Sequence, residues 1–286
     1  PVCVNPFGVT YNPLSVHKGL DALLHKEHYA PEDLDQNQYN NLWFSFDHYT
    51  GFSSPDREQA LQHINTEFTK AQKKLQNAGT LLLTWGTAWV YRYKPTGEVV
   101  CNCHKIPASE FTRSRLTTEQ VVETYRSLLP ELFANNQHLK VILTVSPVRH
   151  WKDGAHGNQL SKSTLLLACD ELATLFPEQV FYFPSYEILM DELRDYRFYG
   201  DDLIHPSQKA TEYIWEKFAE VLIHEDSKQI ITELNQLLKM MEHRPMNKQC
   251  EGYRKMIRQM EERLQVLKAK YPSLSWEKLH PPHPDG

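Results

Sequence analysis

The residues best suited to chemistry lie in one short stretch, Asp202-Leu203-Ile204-His205. An aspartate three residues before a histidine, across one turn, can place its carboxylate against the imidazole Nδ1. That contact fixes the tautomer and leaves Nε2 free to accept a proton. Pro206 favours a helix that begins directly after His205, and the positive end of such a helix disfavours the imidazolium. The pattern predicts a general base, His205, oriented by Asp202; the alternative is a loop histidine beside a solubilising carboxylate.

The elements around this stretch alternate between strand and helix patterns. Three near-continuous apolar runs are typical of strands covered on both faces, and they are residues 80–85, 139–145 and 180–183. Four segments have apolar residues at helical spacing, namely residues 56–78, 117–134, 161–176 and 207–222. The alternation predicts an α/β fold with a mostly parallel sheet, in which ligands bind beyond the carboxyl ends of the strands.

The chain changes character after residue 222. Two apolar seams have the spacing of helices that pack along a narrow stripe. The first seam is Ile230, Leu234, Leu237 and Met241, and the second is Ile257, Met260, Leu264 and Leu267. Pro245 interrupts the helical pattern between them. We therefore expect an α/β domain at residues 1–222, a C-terminal helical hairpin at 223–275 and an unpacked tail at 276–286. Two arrangements are possible. The seams either pair only with each other within one chain, or they also pair with a second copy to form a homodimer.

Charge and cysteine content exclude several classes of partner. The formal net charge of −5 provides no basic field for nucleic acid. No apolar run approaches the roughly 20 residues that span a bilayer, so we expect no membrane segment. Five cysteines, an odd number, argue against a disulfide framework and favour a reducing, cytoplasmic compartment. The stretch Cys101-Asn102-Cys103-His104 lacks the spacing of metal ligands, so we expect no metal and no other cofactor.

Several stretches carry a family resemblance when they are taken in order. They are Asn-Pro-Phe-Gly-Val-Thr-Tyr-Asn-Pro at 5–13, Trp-Phe-Ser-Phe-Asp-His at 43–48, Trp-Gly-Thr-Ala-Trp-Val-Tyr at 85–91, Asn-Cys-His-Lys at 102–105, Ser-Pro-Val-Arg-His at 146–150 and Asp-Leu-Ile-His-Pro-Ser at 202–207. Together they resemble the GSCFA family, within the wider SGNH-hydrolase-like group. The resemblance implies a flavodoxin-like three-layer sandwich with a Ser-His-Asp triad, in which Asp202 and His205 occupy the acid and base positions. It also implies hydrolysis or transfer of acyl groups on a small-molecule or glycan ester, with O-acylated carbohydrate as the expected substrate.

The sequence departs from this family at the nucleophile. The family takes its name from a Gly-Ser-Cys-Phe-Ala stretch that carries the serine, and the stretch does not occur here. By the resemblance it belongs upstream of residue 5, after a first strand, so we expect the α/β domain to be N-terminally incomplete and this chain to be inactive as an esterase. Ser146 follows a strand and is the best-placed substitute, ahead of Ser45 and Ser185. We interpret Ser146 instead as a strand-exit serine that bonds its own turn.

Five further residues are candidates for oxyanion or substrate binding. In SGNH-like sites a glycine from an early block and a small polar side chain at a later strand end bind the oxyanion. By position these are Gly8 and Thr87, with Gly86 beside Thr87, although a tight turn explains Gly8 equally well. His104 lies at the substrate edge or is structural. Arg149 binds a carboxylate or sugar hydroxyls, or is solvated.

Two functions from different classes fit these observations. The first is an SGNH-like ester hydrolase or acyltransferase without its nucleophile. The second is a non-catalytic module that binds a glycan or a protein and assembles through its hairpin. Contact between Asp202 and His205 at the carboxyl edge of the sheet favours the first, and packing that separates them favours the second. His48, which follows Asp47, is interpreted as structural.

Overall fold

The computed structural model describes residues 2–242, 251–272, 274 and 276. The chain separates into two compact units, Val2–Ile214 and a second unit that begins at Trp215. The helices are α1 (Pro13–His25), α2 (Arg57–Gln76), α3 (Thr118–Asn135), α4 (Gly154–Leu175), the single turn α5 (Ser185–Glu187), α6 (Gln208–Leu222), α7 (Glu225–Glu242) and α8 (Glu251–Lys270). The strands are β1 (Asp35–Gln36), β2 (Trp43–Phe44), β3 (Thr80–Trp85), β4 (Trp89–Tyr93), β5 (Val99–Val100), β6 (Phe111–Arg115), β7 (Lys140–Val145) and β8 (Val180–Phe183).

The first unit is built on a parallel sheet with the strand order β3-β7-β8. β3 and β7 pair over their full length, from Thr80 opposite Lys140 to Trp85 opposite Val145. β7 is the central strand, and five consecutive residues of it are buried, as expected of a parallel strand covered on both faces. The predicted α/β class and its three strands are confirmed, with the central strand beginning one residue later than expected.

Side-chain caps start the two helices that the sequence pattern marks most clearly. Asp56 Oδ1 accepts a hydrogen bond from the backbone N–H of Gln59 at 3.0 Å and so caps α2. At the start of α3, Thr117 and Gln120 each accept a hydrogen bond from the other's backbone N–H. These caps explain why the predicted and observed starts of both helices agree to one residue.

α4 starts at Gly154 rather than at residue 161, which corrects the prediction. Its first turns bury three polar side chains, Asn158, Ser161 and Lys162. An apolar period cannot reveal turns whose buried residues are polar. The same three residues matter for the site, because they face the ends of the sheet strands.

Two parts of the first unit have no clear sequence pattern. One is α1, which Asn12 caps by accepting a hydrogen bond from Ser15 N–H at 2.9 Å. The other is a second, antiparallel sheet with the strand order β5-β4-β6, next to a two-stranded β1-β2 ribbon. β5 is too short for a period to show, and most residues of β4 and β6 are only half-buried or exposed.

The core of the first unit joins the parallel sheet to its covering helices. Trp85 from β3 and Tyr125 from α3 are both fully buried, and their ring centroids lie 4.9 Å apart. The Tyr125 hydroxyl donates to the backbone carbonyl of Pro13 at 3.0 Å, which ties α3 to α1. Tyr125 therefore connects the end of β3 to α3 and, through its hydroxyl, to α1.

The second unit contains the predicted helical hairpin. α7 and α8 pack around a cluster formed by Leu237, Tyr253, Ile257, Met260, Leu264 and Leu267. Leu234 and Met241 pack against this cluster as predicted, whereas Ile230 is not part of it. Trp276, the first residue of the predicted tail, also packs there. The predicted break at 243–247 and residues 277–286 lie outside the described residues. The domain boundary expected at residue 222 stays a prediction.

No helix in the described part of the chain is both long and apolar enough to span a bilayer.

Candidate active site

The carboxyl ends of β3 and β7 are joined by a buried lysine. Lys162 of α4 donates from Nζ to the backbone carbonyls of Gly86 and Ser146, both at 2.6 Å. Its side chain is fully buried, and Nζ lies 5.6 Å from the ring centroid of Tyr186. Burial lowers the pKa of Lys162 to about 7. The ammonium thus holds together the loops that follow two neighbouring strands.

The other polar residues on this face of α4 complete the same edge. Ser161 Oγ accepts a hydrogen bond from Ala88 N–H at 2.8 Å and lies 3.2 Å from Thr87 Oγ1. Asn158 Oδ1 accepts from His150 N–H at 2.9 Å. Asn158, Ser161 and Lys162 therefore each bond a loop that follows a strand of the parallel sheet.

The loop that carries Asp202 and His205 is closed on itself. Tyr199 and Pro206 form an antiparallel bridge. Inside it, Gly200 N–H donates to the carbonyl of His205 at 2.8 Å. Leu203 has a φ of +57°, a left-handed conformation that few leucines adopt. The turn predicted between the two residues is therefore present, and it is tight.

This turn brings the aspartate and the histidine together. Asp202 Oδ2 lies 2.6 Å from His205 Nδ1. Its other oxygen, Oδ1, accepts hydrogen bonds from the backbone N–H groups of Ile204 and His205, each at 2.9 Å. The carboxylate is therefore held at both oxygens, and the imidazole ring is oriented by it.

The electrostatics of the pair favour one tautomer. The hydrogen bond from the His205 ring, followed by those from the two backbone N–H groups, lowers the pKa of Asp202 to about 2. An ionised carboxylate only accepts, so in the neutral ring Nδ1 carries the proton and Nε2 presents its lone pair. The His205 side chain is 66% exposed. In the described part of the chain no residue bonds Nε2, so a substrate or nucleophile can reach it.

The helix after His205 starts later than predicted. α6 begins at Gln208, and Ser207 Oγ accepts from the Ala210 N–H at 3.4 Å. The prediction of a helix directly after His205 is wrong because Pro206 is taken up by the bridge to Tyr199. His205 thus lies before the cap, where the helix end acts on it more weakly.

The three candidate serines have other partners. Ser146 Oγ accepts from Val148 N–H at 3.3 Å, the strand-exit turn that was expected. Ser45 Oγ accepts from Asp47 N–H at 3.3 Å. Ser185 Oγ donates to the carbonyl of Val145 at 2.7 Å. None of these hydroxyls bonds the His205 ring, so none completes a triad with it.

The backbone donors of Gly86 and Thr87 are already used. Both N–H groups donate to the carbonyl of Tyr11, at 2.7 and 3.0 Å. Thr87 Oγ1 accepts a hydrogen bond from Trp89 N–H at 3.1 Å and contacts Ser161 Oγ. A donor already occupied by a protein carbonyl is not available to an oxyanion. The contacts of both residues are those of the strand edge, and their oxyanion role stays a prediction.

Gly8 has the geometry of a tight turn. Its N–H donates to the carbonyl of Asn5 at 2.7 Å, and its φ is +81°. A Cβ at this position would lie 2.2 Å from Tyr49 Cβ, so only glycine fits. These contacts are those of the turn residue that was the alternative in the sequence, and its N–H is not free for an oxyanion.

His104 lies in an aromatic cluster. Its Nε2 is 3.0 Å from the carbonyl of Ser45, and its ring centroid is 4.3 Å from that of Phe44. Burial is the main cause that lowers its pKa to about 4. These contacts are those of a structural histidine, one of the two predicted roles, and a role at the substrate edge stays a prediction.

Arg149 is the substrate-binding candidate that reaches the Asp202–His205 loop. Its Nη2 lies 3.4 Å from the carbonyl of Leu203. Its guanidinium carbon lies 4.5 Å from the ring centroid of Tyr199 and 5.4 Å from that of Trp151. The loop after β7 and the loop before α6 therefore meet at this arginine.

Lys162 is the site residue that the sequence analysis misses. Residues 162, 165, 169 and 172 follow the 3-4-3 spacing of a buried stripe, and all four are buried. A lysine in register with Leu165, Cys169 and Leu172 is therefore a signal that could have found it. In the described residues, no group of three or more histidine, cysteine or acidic side chains is arranged to hold a metal ion.

Comparison with known families places both units of the chain. The model described as "GSCFA family" matches residues 2–218. A second model, "GSCFA domain protein, C-terminal domain", matches residues 234–279. No curated protein and no solved structure matches the chain.

Proposed function

The chain belongs to the GSCFA family, and from that premise we propose that Asp202 and His205 perform the proton transfers of an ester hydrolase or acyltransferase. One observation carries the proposal: the 2.6 Å contact between Asp202 Oδ2 and His205 Nδ1, with Nε2 exposed. A base must be oriented, accessible and kept in one tautomer, and this pair meets all three requirements.

The proposed reaction needs a serine nucleophile. The serine hydroxyl gives its proton to His205 Nε2 while its oxygen attacks the ester carbonyl, and Asp202 stabilises the imidazolium that forms. When the tetrahedral intermediate collapses, Nε2 returns that proton to the leaving alcohol and an acyl-serine remains. Water or an acceptor hydroxyl then attacks the acyl-serine, again with Nε2 taking and returning the proton. Water gives hydrolysis, and an acceptor hydroxyl, as on a carbohydrate, gives acyl transfer.

The nucleophile is proposed to come from outside these 286 residues. The Gly-Ser-Cys-Phe-Ala stretch is absent from the sequence, and Ser45, Ser146 and Ser185 bond other groups. Without a serine at Nε2, the pair can still bind and orient a substrate but has no group to activate. The 286-residue chain is therefore expected to turn over esters no faster than its His205→Ala variant.

The test measures release of acetate from acetylated oligosaccharides and from p-nitrophenyl acetate. In this chain joined to a Gly-Ser-Cys-Phe-Ala segment, we expect turnover that His205→Ala lowers by about 10³-fold or more. His138→Ala is the matched control, because His138 is exposed in the turn before β7, at the opposite edge of the sheet. Serine-dependent turnover by the 286 residues alone contradicts the proposal, and so does turnover that survives His205→Ala.

A second candidate is a non-catalytic module that binds a glycan or a protein. It is favoured by one observation: among the described residues, no serine hydroxyl bonds His205. In this version the hairpin serves assembly, because Leu238 and Val266 leave apolar surface exposed on it. Light scattering tests the assembly role, since Val266→Glu then converts a dimer to a monomer. Binding of acetylated oligosaccharide by this chain joined to a Gly-Ser-Cys-Phe-Ala segment, without any turnover, favours this candidate over the first.

A further inference from the structure

Arg149 is a cation beside the Asp202–His205 pair that has no acidic partner. Its only hydrogen bond to a described residue is the 3.4 Å contact from Nη2 to the Leu203 carbonyl. No described carboxylate lies within 4.0 Å of its guanidinium nitrogens. Arg113, in contrast, makes two hydrogen bonds of 2.5 and 2.6 Å to Asp153. The structure therefore pairs one arginine near this edge with a carboxylate and leaves the other without one.

The free guanidinium is held in place by aromatic rings. Tyr199 lies 4.5 Å from it and Trp151 5.4 Å, both within the range of cation–π attraction. Its Nε is buried and has no partner among the described residues, so the cation is partly removed from water. A fixed, partly desolvated guanidinium gains more from an anion than a mobile surface arginine does.

The neighbouring charges also favour an anion over a cation. Lys162, fully buried at the same sheet edge, bonds only backbone carbonyls. The acidic residues of the loop that Arg149 contacts are Asp202, which bonds His205, and Asp201, which is exposed. Because the whole chain carries a net charge of −5, an anionic ligand needs a local cation of this kind to bind.

We propose that Arg149 binds a carboxylate or phosphate group on the substrate whose ester is processed at His205, and so selects acidic over neutral substrates. The inference rests on the proposed function for its reaction but not for its binding step. A sugar carboxylate and a sugar phosphate share the chemistry, since each presents two oxygens to the guanidinium fork.

Binding is measured on the full chain without any turnover, by NMR chemical-shift titration with galacturonate, glucose 1-phosphate and glucose. Both acidic sugars are expected to bind at least about tenfold more tightly than glucose, the scale of one charge-assisted contact. Tighter binding of galacturonate identifies a carboxylate ligand, and tighter binding of glucose 1-phosphate a phosphate ligand. Equal binding of all three sugars overturns the inference.

Variants distinguish binding through the Arg149 guanidinium from a general effect of the positive charge of the protein. Arg149→Gln should abolish the preference for acidic sugars, and Arg149→Lys should weaken it several-fold because the fork is lost. Arg126→Gln, on the exposed surface of α3, removes the same charge and should leave the preference unchanged. Asp201→Asn should strengthen acidic-sugar binding. An unchanged preference in Arg149→Gln, with unchanged His205 resonances as proof of folding, also overturns the inference.

Failure of this inference and failure of the proposed function are distinguishable. Loss of anion binding in Arg149→Gln together with full turnover in His205→Ala retains the anion site and rejects the esterase. Turnover that needs His205 but does not distinguish acidic from neutral esters, in wild type and Arg149→Gln alike, retains the esterase and rejects the anion site.

Discussion

Two aspartate–histidine pairs that are close in the sequence differ in their contacts and in the exposure of the histidine. Asp202 contacts His205 Nδ1 at 2.6 Å, and the histidine side chain is 66% exposed. Asp47 directly precedes His48 in the sequence, but its carboxylate bonds Lys18 at 2.8 Å and the Tyr29 hydroxyl at 3.1 Å instead. His48 is buried against aromatic rings, and its Nδ1 has no partner among the described residues.

The difference between the pairs lies in direction and burial rather than in residue type. Across the tight turn at Leu203 the Asp202 side chain points back at the histidine, whereas adjacent residues 47 and 48 point apart. Burial lowers the pKa of His48 to about 4, which keeps that ring neutral and away from substrate. Closeness of an aspartate to a histidine in sequence therefore does not by itself bring the carboxylate to the imidazole; the turn at Leu203 does so for Asp202 and His205.

The largest expected effect on turnover comes from changing Asp202 to asparagine. In Asp202→Asn the amide oxygen can still accept the backbone N–H groups of Ile204 and His205, so the turn persists. The amide N–H₂ now faces Nδ1 and forces the proton onto Nε2. Turnover of an acetyl ester by the chain joined to a Gly-Ser-Cys-Phe-Ala segment should then fall by about 10³- to 10⁴-fold.

Asp47→Asn is the matched control for that change. It removes the ion pair with Lys18 and should lower the thermal midpoint while turnover stays at the wild-type level. Equal losses of turnover in the two variants would show that the exposed pair has no special role.

The buried histidines should dominate the stability of the first unit in acid. Burial lowers the pKa of both His48 and His104 to about 4, whereas in the unfolded chain it is about 6.5. Between these values the unfolded chain binds more protons, so the free energy of unfolding falls as the pH drops from about 6.5 to 4. Each histidine should contribute on the order of 3 kcal/mol to this fall.

Urea denaturation between pH 7 and 4.5 measures the effect. His104→Gln should flatten the acid-side decline. A decline that is as steep in His104→Gln as in the wild-type chain would contradict this account of the buried histidines.

Lys162 is a second kind of buried titratable group whose lowered pKa should make the stability depend on pH. Its pKa is about 7 in the folded chain and about 10.4 in the unfolded chain, so the unfolded chain binds the proton more strongly between these values. The free energy of unfolding should therefore rise with pH across this window. From pH 7 to 9, the free energy of unfolding of the wild-type chain should rise by on the order of 2 kcal/mol relative to that of Lys162→Met.

Denaturation of both proteins at the two pH values provides the test. If Lys162→Met does not fold, titration of the Lys162 side chain by NMR in the wild-type chain replaces it. A parallel pH dependence of the two proteins, or a lysine that titrates near its ordinary pKa, contradicts this account of the sheet edge.

The smallest expected effect is at Leu203, which shapes the turn. Asparagine tolerates the left-handed backbone better than leucine, so Leu203→Asn should stabilise the chain by up to about 1 kcal/mol. Leu167→Asn, at an exposed leucine with helical backbone on α4, should instead be slightly destabilising. Destabilisation by both substitutions would show that Leu203 contributes through contacts rather than strain.

The fold was more predictable from sequence than the site. Continuous apolar runs predict strands β3, β7 and β8, and the three-residue spacing across one turn predicts the Asp202–His205 contact. The start of α4 cannot be predicted in this way, because Asn158, Ser161 and Lys162 are buried polar residues whose partners come from distant loops. The carbonyl of Tyr11, which occupies the N–H groups of Gly86 and Thr87, is equally invisible to a local pattern.

The central claim is that Asp202 holds His205 with Nε2 free to take a proton, and the tautomer of His205 tests it most directly. Long-range ¹⁵N–¹H correlation spectra of the neutral ring should show the proton on Nδ1 in the wild-type chain and on Nε2 in Asp202→Asn. A wild-type ring with its proton on Nε2, or a tautomer that Asp202→Asn does not change, would contradict the claim.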